Sequence, residues 1–191
     1  MGLWRNERFG RRLSVALPLL ALCCDFTLYS APASGTVSEY EVKAAFIYNL
    51  VKFVEWPAGA LSGGSFNLCV AEPDPFGEAL PAFLRQKQVF GHSVEVVRLK
   101  TSENYRSCHA LFISMREARS VSGSLRDLQR APVLTIGESA DFGETGGMMS
   151  LLLVNGKIQL HINTQAVRAA NLRISAQLLR LANHAQDGGR K

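Results

Sequence analysis

The segment that begins at Glu39, EYEVKAAFIYNLVKFVEWP, has apolar positions at helical spacing. One side of about four helical turns is apolar, and the charged side chains fall on the other sides. Proline disfavours the α conformation in the residue before it, so the helix should end at Pro57 and Trp56 should place its ring on the strand that follows. The predicted buried side of this helix consists of Val42, Phe46, Asn49, Leu50 and Phe53.

Short apolar runs between turn residues predict strands and short helices through the middle of the chain. The run SFNLCVA alternates, with Phe66, Leu68 and Val70 on one face, as expected for a strand. The run CHALFIS is almost continuously apolar, which is typical of a strand covered on both faces. Strands are predicted at 65–71, 94–99, 108–114 and 133–136, a small hairpin at Gly91-His92, and helices at 76–85 and from Ser122 or Ser124 to Gln129.

The last third of the chain begins with a strong hairpin pattern. Asn155 and Gly156 separate two strand-like runs at 149–154 and 157–163, and this dipeptide supplies the two positive φ angles that a type I′ turn needs. The second run alternates cleanly, which places its apolar side chains toward the core. The side chains expected to face the core are those of Ile158, Leu160 and Ile162.

A final helical region follows the hairpin. Asn163 or Thr164 can cap its start, Asn171 can interrupt it in a left-handed conformation, and Ser175 can begin a second segment. Its apolar stripe consists of Val167, Ala170, Ile174, Leu178 and Leu181.

Strands that alternate with helices indicate one α/β domain with a mostly parallel or mixed sheet flanked by helices, followed by the C-terminal β-hairpin and helical segment. A chain of 191 residues is long enough for one such domain and short for two. We assign residues 34–38 to a short linker, 39–183 to the domain and 184–191 to a polar tail.

The amino terminus has the pattern of an export signal. Several arginines precede an apolar run at 13–24, and Ala31-Pro32-Ala33 offers a cleavage site of small residues. We predict that residues 1–33 are a signal peptide, cleaved near Ala33, and that the mature protein lies in the periplasm. A lipoprotein signal at Cys23 and twin-arginine export are weaker alternatives. No later run approaches the ~20 apolar residues of a membrane span.

Charge and cysteine content change once the signal is removed. Loss of four arginines and two acids lowers the formal net charge from +5 to +3, and the remaining charges are interspersed, so no nucleic-acid role is predicted. Only Cys69 and Cys108 remain, and an oxidising compartment favours a disulfide between them. Two separate buried thiols or a metal site are the alternatives, although no further ligand has metal spacing beside either cysteine.

The sequence lacks the motifs of common enzymes. No Walker A loop and no G-x-S-x-G elbow occurs, and the glycines at 143–147 are interpreted as a turn before the hairpin. We therefore predict no catalysis, no cofactor and no resident metal. The loop with Glu72 and Asp74 follows the carboxyl end of a strand, where open α/β sheets bind ligands, so it could receive a cation or an amine, or be a solvated turn.

Two pairs of residues are candidates for partner docking. Tyr48 and Lys52 fall together on a side of the first helix away from Phe46, and Arg173 and Arg180 are one heptad apart in the last helical region. Aromatic and arginine side chains often anchor protein interfaces. The same residues are also typical of an ordinary exposed helix face.

The chain resembles the YfiR-like family through a series of blocks in one order that cover nearly everything after residue 38. The blocks are EYEVKAAFIYNLVKFVEWP, PDPFGEAL, CHALFIS, PVLTIGE, NGKIQLHIN and LRISAQLLRLA. This resemblance implies a small periplasmic protein that represses an inner-membrane diguanylate cyclase by binding its periplasmic domain. It also implies a bridge between Cys69 and Cys108, a dimer, and an outer-membrane lipoprotein in the same pathway. A second bridge found in part of the family has no counterpart here.

Three functional hypotheses follow. The leading one is a non-catalytic periplasmic regulator that controls cyclic di-GMP signalling through protein binding. The second is a periplasmic small-ligand receptor that uses the loop at 72–76. The third is a hydrolase with an unconventional site, for which the sequence supplies no partner groups.

Overall fold

The structure is a computed structural model that describes residues 38–100, 103–117 and 120–187. The predicted signal peptide, nearly all of the predicted linker and residues 188–191 of the predicted tail lie outside the described residues. The helices are α1 (Glu39–Val51), α2 (Ala79–Leu84), α3 (Ser122–Leu128), α4 (Thr164–Ala169) and α5 (Ala176–Asp187). The strands are β1 (Val54–Glu55), β2 (Ser65–Ala71), β3 (Gln88–Val89), β4 (His92–Leu99), β5 (Ala110–Ile113), β6 (Leu134–Gly137), β7 (Met149–Val154), β8 (Lys157–Ile162) and β9 (Arg173–Ile174).

A mixed sheet organises the domain. Within the described residues its strand order is β3-β4-β2-β5-β6-β7-β8. The strands from β4 to β7 are parallel, while β3 and β8 run antiparallel to their neighbours at the two ends. The predicted single α/β domain with a C-terminal hairpin and helical segment is confirmed.

Both faces of the central strands are covered, as the continuous apolar runs predict. Every residue of β5 and of β6 is buried. Phe66, Leu68 and Val70 of β2 belong to one core cluster, together with residues of α1, α2 and α5. Cys69 belongs to a second cluster on the opposite face, with α3. The alternation predicted for β2 is therefore confirmed, and both of its faces are buried.

The first helix begins at Glu39, as predicted, but ends earlier than predicted. Ser38 and Glu41 form a capping box at its amino end. The helix ends at Val51, well before Pro57. After a turn at Lys52 and Phe53, the chain is extended at Val54, which pairs with Ile174 of β9. Trp56 does pack edge-on against Phe66 of β2, with ring centroids 5.4 Å apart, as expected.

The predicted buried side of α1 is wrong. The residues that α1 buries against the sheet are Lys43, Ala44, Ile47, Leu50 and Val51. Of the predicted set only Leu50 is buried, and Phe46 is 38% exposed. Val42 and Phe46 lie on another side of the helix, and Phe53 lies in the turn after it. All three line the groove described below.

In the carboxy-terminal third, the predicted turn and cap residues have the expected conformations. Asn155 and Gly156 have φ angles of 51° and 73°, as a type I′ turn requires. The Asn163 side chain caps α4 through the Ala166 N–H. Asn171 has a φ of 57° and ends α4, as predicted.

Two local predictions, one in the last third of the chain and one at α3, are wrong. Arg173 lies in β9 and not in a helix, so it has no heptad relation to Arg180 on α5. Val121 occupies the cap position of α3 without a side-chain hydrogen bond, so neither Ser122 nor Ser124 is its cap. Arg173 is extended because the backbone after Asn171 pairs with Val54 and Glu55 of β1.

Cys69 and Cys108 form a disulfide, as the resemblance implies. It links β2 to the residue that follows a short 3-10 turn (Tyr105–Ser107) before β5. None of the described helices has the length and apolarity that a bilayer crossing requires.

Removing this disulfide should lower the free energy of unfolding by about 3 to 4 kcal/mol, because it closes a loop of 39 residues in the unfolded chain. We expect the double variant Cys69→Ala/Cys108→Ala to show this loss in urea denaturation. The control is reduction with dithiothreitol. It should lower the free energy of unfolding of the oxidised wild type to that of the double variant, and it should not change the free energy of unfolding of the variant. Identical unfolding of the oxidised protein with and without dithiothreitol would contradict the prediction.

Candidate functional site

An open apolar groove of about 960 Å³ lies along α1. The helix contributes its outward side, α2 contributes one wall, and β8 and α5 contribute the other. The lining residues are Glu41, Val42, Ala45, Phe46, Asn49, Leu50, Phe53, Ala79, Ala82, Phe83, Ile158, Leu160, Leu178 and Leu181. All but two of these side chains are apolar.

The groove explains why α1 is apolar on two sides. One side is buried against the sheet, and the stripe predicted from the sequence lines the groove. A helix that is apolar all round is normally buried all round. Phe46 is nevertheless 38% exposed, and Leu181 on α5 is 57% exposed. Contiguous exposed apolar surface of this kind marks interaction sites.

A buried ion pair holds α1 in the orientation that exposes this stripe. The Lys43 Nζ lies 2.5 Å from a carboxylate oxygen of Glu138, and the two side chains are only 3% and 6% exposed. Glu138 follows the carboxyl end of β6, so the pair joins the start of α1 to the end of the central sheet. Glu39, one helical turn before Lys43, also contacts its Nζ at 2.5 Å.

Further hydrogen bonds satisfy Glu138. Its second carboxylate oxygen accepts the Met115 backbone N–H at 2.9 Å and the Tyr40 hydroxyl at 3.3 Å. Burial acts to lower the pKa of Lys43, but the hydrogen bonds and charges of Glu138 and Glu39 outweigh it and place the pKa above its ordinary value. The lysine is therefore charged at neutral pH. Sequence reasoning missed this pair, although the Glu39–Lys43 spacing and an acid directly after a buried strand are visible signals.

Comparison with known proteins identifies the family. Residues 40–183 match the YfiR/HmsC-like family. The chain belongs to this family. The match extends from the second residue of α1 into the last helix, so it contains every element that forms the groove.

A solved structure shares the fold. It is the crystal structure of a conserved domain protein from Vibrio cholerae O1 biovar El Tor str. N16961, 16% identical, with a TM-score of 0.51. The alignment covers 76% of this chain and 59% of that chain, so this chain spans less than two thirds of the neighbour's length. A search of curated proteins finds no match.

In this YfiR/HmsC-like domain, the acidic loop after β2 is already held by an arginine. Asp74 accepts the Phe76 N–H at 2.7 Å and pairs with Arg98 at 2.8 Å. Glu72 and Asp74 do lie together, in a depression of about 560 Å³ that Lys100 also lines. The binding of a cation or an amine here stays a prediction, and the Arg98 pair satisfies part of the charge that such a ligand would meet.

The aromatic docking candidate joins α1 to a neighbouring strand. The Tyr48 hydroxyl donates to the Gln88 carbonyl of β3 at 3.2 Å, and the Nζ of Lys52 lies 4.2 Å from the Tyr48 ring centre. These contacts give the pair a structural role beside the groove, and its use in docking stays a prediction. Among the arginines, Arg173 lines a separate cavity of about 550 Å³ with Arg168, while Arg180 is exposed on α5.

His109, next to the disulfide, is part of the packing. Its Nδ1 accepts the Asn67 N–H at 2.8 Å, so Nε2 carries the proton and donates to the Ala60 carbonyl at 3.1 Å. Burial lowers the pKa of His109, with a smaller contribution from His92, which favours this neutral form. In the part of the chain that the structure describes, no three His, Cys, Asp or Glu side chains converge as metal ligands would.

Replacing Lys43 by methionine should lower the free energy of unfolding by roughly 3 kcal/mol, because Glu138 would keep a buried charge without its cation. The control Lys157→Met, at an exposed position in the hairpin, should change it by less than about 0.5 kcal/mol. The double variant Lys43→Met/Glu138→Gln should recover part of the loss in urea denaturation. Equal effects of Lys43→Met and Lys157→Met would contradict the prediction.

The pH dependence of this contribution follows from the raised pKa of Lys43. Its charge stabilises the fold fully below the ordinary lysine pKa of 10.5, and that stabilisation is lost as the pH rises through the higher folded-state value. The difference in the free energy of unfolding between wild type and Lys43→Met should therefore be constant from pH 7 to about pH 9. It should become smaller above the ordinary pKa of lysine, as urea denaturation at each pH would show.

Proposed function

We propose that this YfiR/HmsC-like chain is a non-catalytic periplasmic regulator that binds the periplasmic domain of an inner-membrane diguanylate cyclase and represses it. The open apolar groove along α1 is the observation that carries the proposal. Family membership supports a periplasmic regulator, and the groove supplies a surface with which such a regulator can hold a partner.

The groove suits a protein partner. Phe46 lines it from α1, Phe53 from the turn after α1, and Phe83 from α2. Aromatic side chains therefore lie where a partner would displace water. Buried aromatic anchors contribute much of the energy of protein interfaces. A groove between helices is also the surface that an amphipathic helix recognises in other complexes.

Repression requires more than binding. A regulator that bound the active and inactive cyclase equally would shift no equilibrium. To hold a cyclase about 99% inactive when it would otherwise be about 99% active takes a preference of about 5.5 kcal/mol for the inactive conformer. A preorganised groove adds affinity, because it loses less entropy on binding. The preference itself must come from contacts that only the inactive conformer makes. The buried Lys43–Glu138 pair and the capping box at Ser38 both fix α1 before the partner arrives.

The substitution Phe46→Glu should relieve repression, because it places a charge on the apolar surface that the partner buries. In a strain that lacks the gene for this chain, wild-type protein should restore low cyclic di-GMP and Phe46→Glu should not, at equal protein level. We expect the variant to bind the purified periplasmic domain of the cyclase at least tenfold more weakly, a loss of about 1.4 kcal/mol.

Val154→Glu is the matched control. Val154 is 36% exposed, so this variant introduces the same charge at a similarly exposed apolar position. Val154 pairs with Lys157, on the face of the hairpin opposite to the one on which Ile158 and Leu160 line the groove. This variant should repress as the wild type does, and both variants should keep their urea midpoints. Full repression by Phe46→Glu would show that the groove is not the cyclase-binding surface.

A second function, a small-ligand receptor, is favoured by the size of the groove, because ligand pockets occupy about 300 to 1,000 Å³. In that case the neutral dye N-phenyl-1-naphthylamine should raise the melting temperature of the protein with concentration, and Phe46→Glu should abolish the shift. A cyclase domain that binds equally well in the presence of saturating dye would favour separate sites.

A further inference from the structure

The two polar residues of the groove present acceptors to whatever binds there. One carboxylate oxygen of Glu41 accepts the Ser38 N–H at 2.7 Å, and no ion pair to Glu41 is formed within the described residues. The Asn49 amide donates to the Ala45 carbonyl at 3.0 Å, which leaves its own carbonyl oxygen as an acceptor. The other lining side chains are apolar.

The dimensions of the groove fit a short helix. The lining positions of α1 run from Glu41 to Leu50, which corresponds to about 14 Å of helix axis. Ala45 on α1 and Ala79 and Ala82 on α2 line the groove with side chains no longer than Cβ. Small residues on neighbouring helices leave room for the larger side chains of a third helix packed across them.

We propose that the segment that fills the groove is an amphipathic partner helix of two to three turns, with aliphatic side chains toward the groove and a lysine or arginine at the end that reaches Glu41. This inference rests on the proposed function, because the partner is the periplasmic domain of the repressed cyclase.

Charge complementarity selects this occupant. A cation beside Glu41 satisfies a carboxylate that has no counter-ion among the described residues, and complementary charges of this kind fix the register of a complex. An acyl chain with an anionic headgroup, or an acidic helix, would bring a second negative charge to the same place. An extended strand binds through backbone hydrogen bonds, which an apolar groove lined by side chains does not offer.

Binding of the purified cyclase periplasmic domain to three variants tests the charge. Glu41→Gln retains the capping box, since glutamine also serves at that position, and should weaken binding about threefold to tenfold. Glu41→Lys should weaken it by more than tenfold. The control Glu95→Lys, at an exposed position on β4, makes the same charge change away from the groove and should not alter the affinity. Raising the salt concentration should weaken the binding of the cyclase domain to wild type more than its binding to Glu41→Gln.

The outcomes separate this inference from the function on which it rests. Loss of binding in Phe46→Glu together with unchanged binding and salt dependence in both Glu41 variants would overturn the basic helix and leave the proposed function standing. Full repression by Phe46→Glu would overturn the proposed function itself. Two other occupants would also overturn the inference: a dimer in analytical ultracentrifugation that Phe46→Glu dissociates, or co-sedimentation with phosphatidylglycerol vesicles that Phe46→Glu abolishes.

Discussion

The orientation of α1 on the sheet depends on the buried ion pair between Lys43 and Glu138. The pair places a charged residue on the inner side of the helix, and that placement is favourable only because Glu138 lies at the end of β6 to receive it. A buried charge that lost its partner would cost several kcal/mol, so other rotations of the helix are disfavoured. The rotation that is fixed leaves Phe46 facing outward, and the groove follows from it.

This arrangement leaves apolar surface uncovered, at a cost that a fold selected for stability alone would avoid. The same surface is what a binding protein needs, because the energy that is not gained in folding is gained when the partner covers it. Local departures from the rules that make a stable fold are expected at functional sites. The groove along α1 is such a departure, while the catalytic motifs that an α/β sheet often carries are missing from the sequence.

The disulfide and the groove lie in different parts of the domain. Cys69 and Cys108 belong to the core cluster on the α3 face, whereas the lining residues Leu50, Leu160 and Leu178 belong to the cluster on the other face. Reduction would therefore affect the groove through the stability of the sheet that both faces share, and not through contact between the disulfide and the groove. The family match covers both clusters, which is consistent with one scaffold that serves binding.

The sequence by itself determined the elements whose cause is local: the Asn155-Gly156 hairpin, the break at Asn171, and the strands marked by alternating or continuous apolar runs. It also showed that α1 has an apolar stripe, which proved to be the candidate site. Only the tertiary structure decided which side of α1 is buried, because the helix is apolar on two sides and its pattern fits either. The buried side is selected by the ion pair with Glu138, which lies almost a hundred residues away from Lys43 in the chain. The pairing of β1 with β9 likewise depends on contacts between distant residues, which no local pattern encodes.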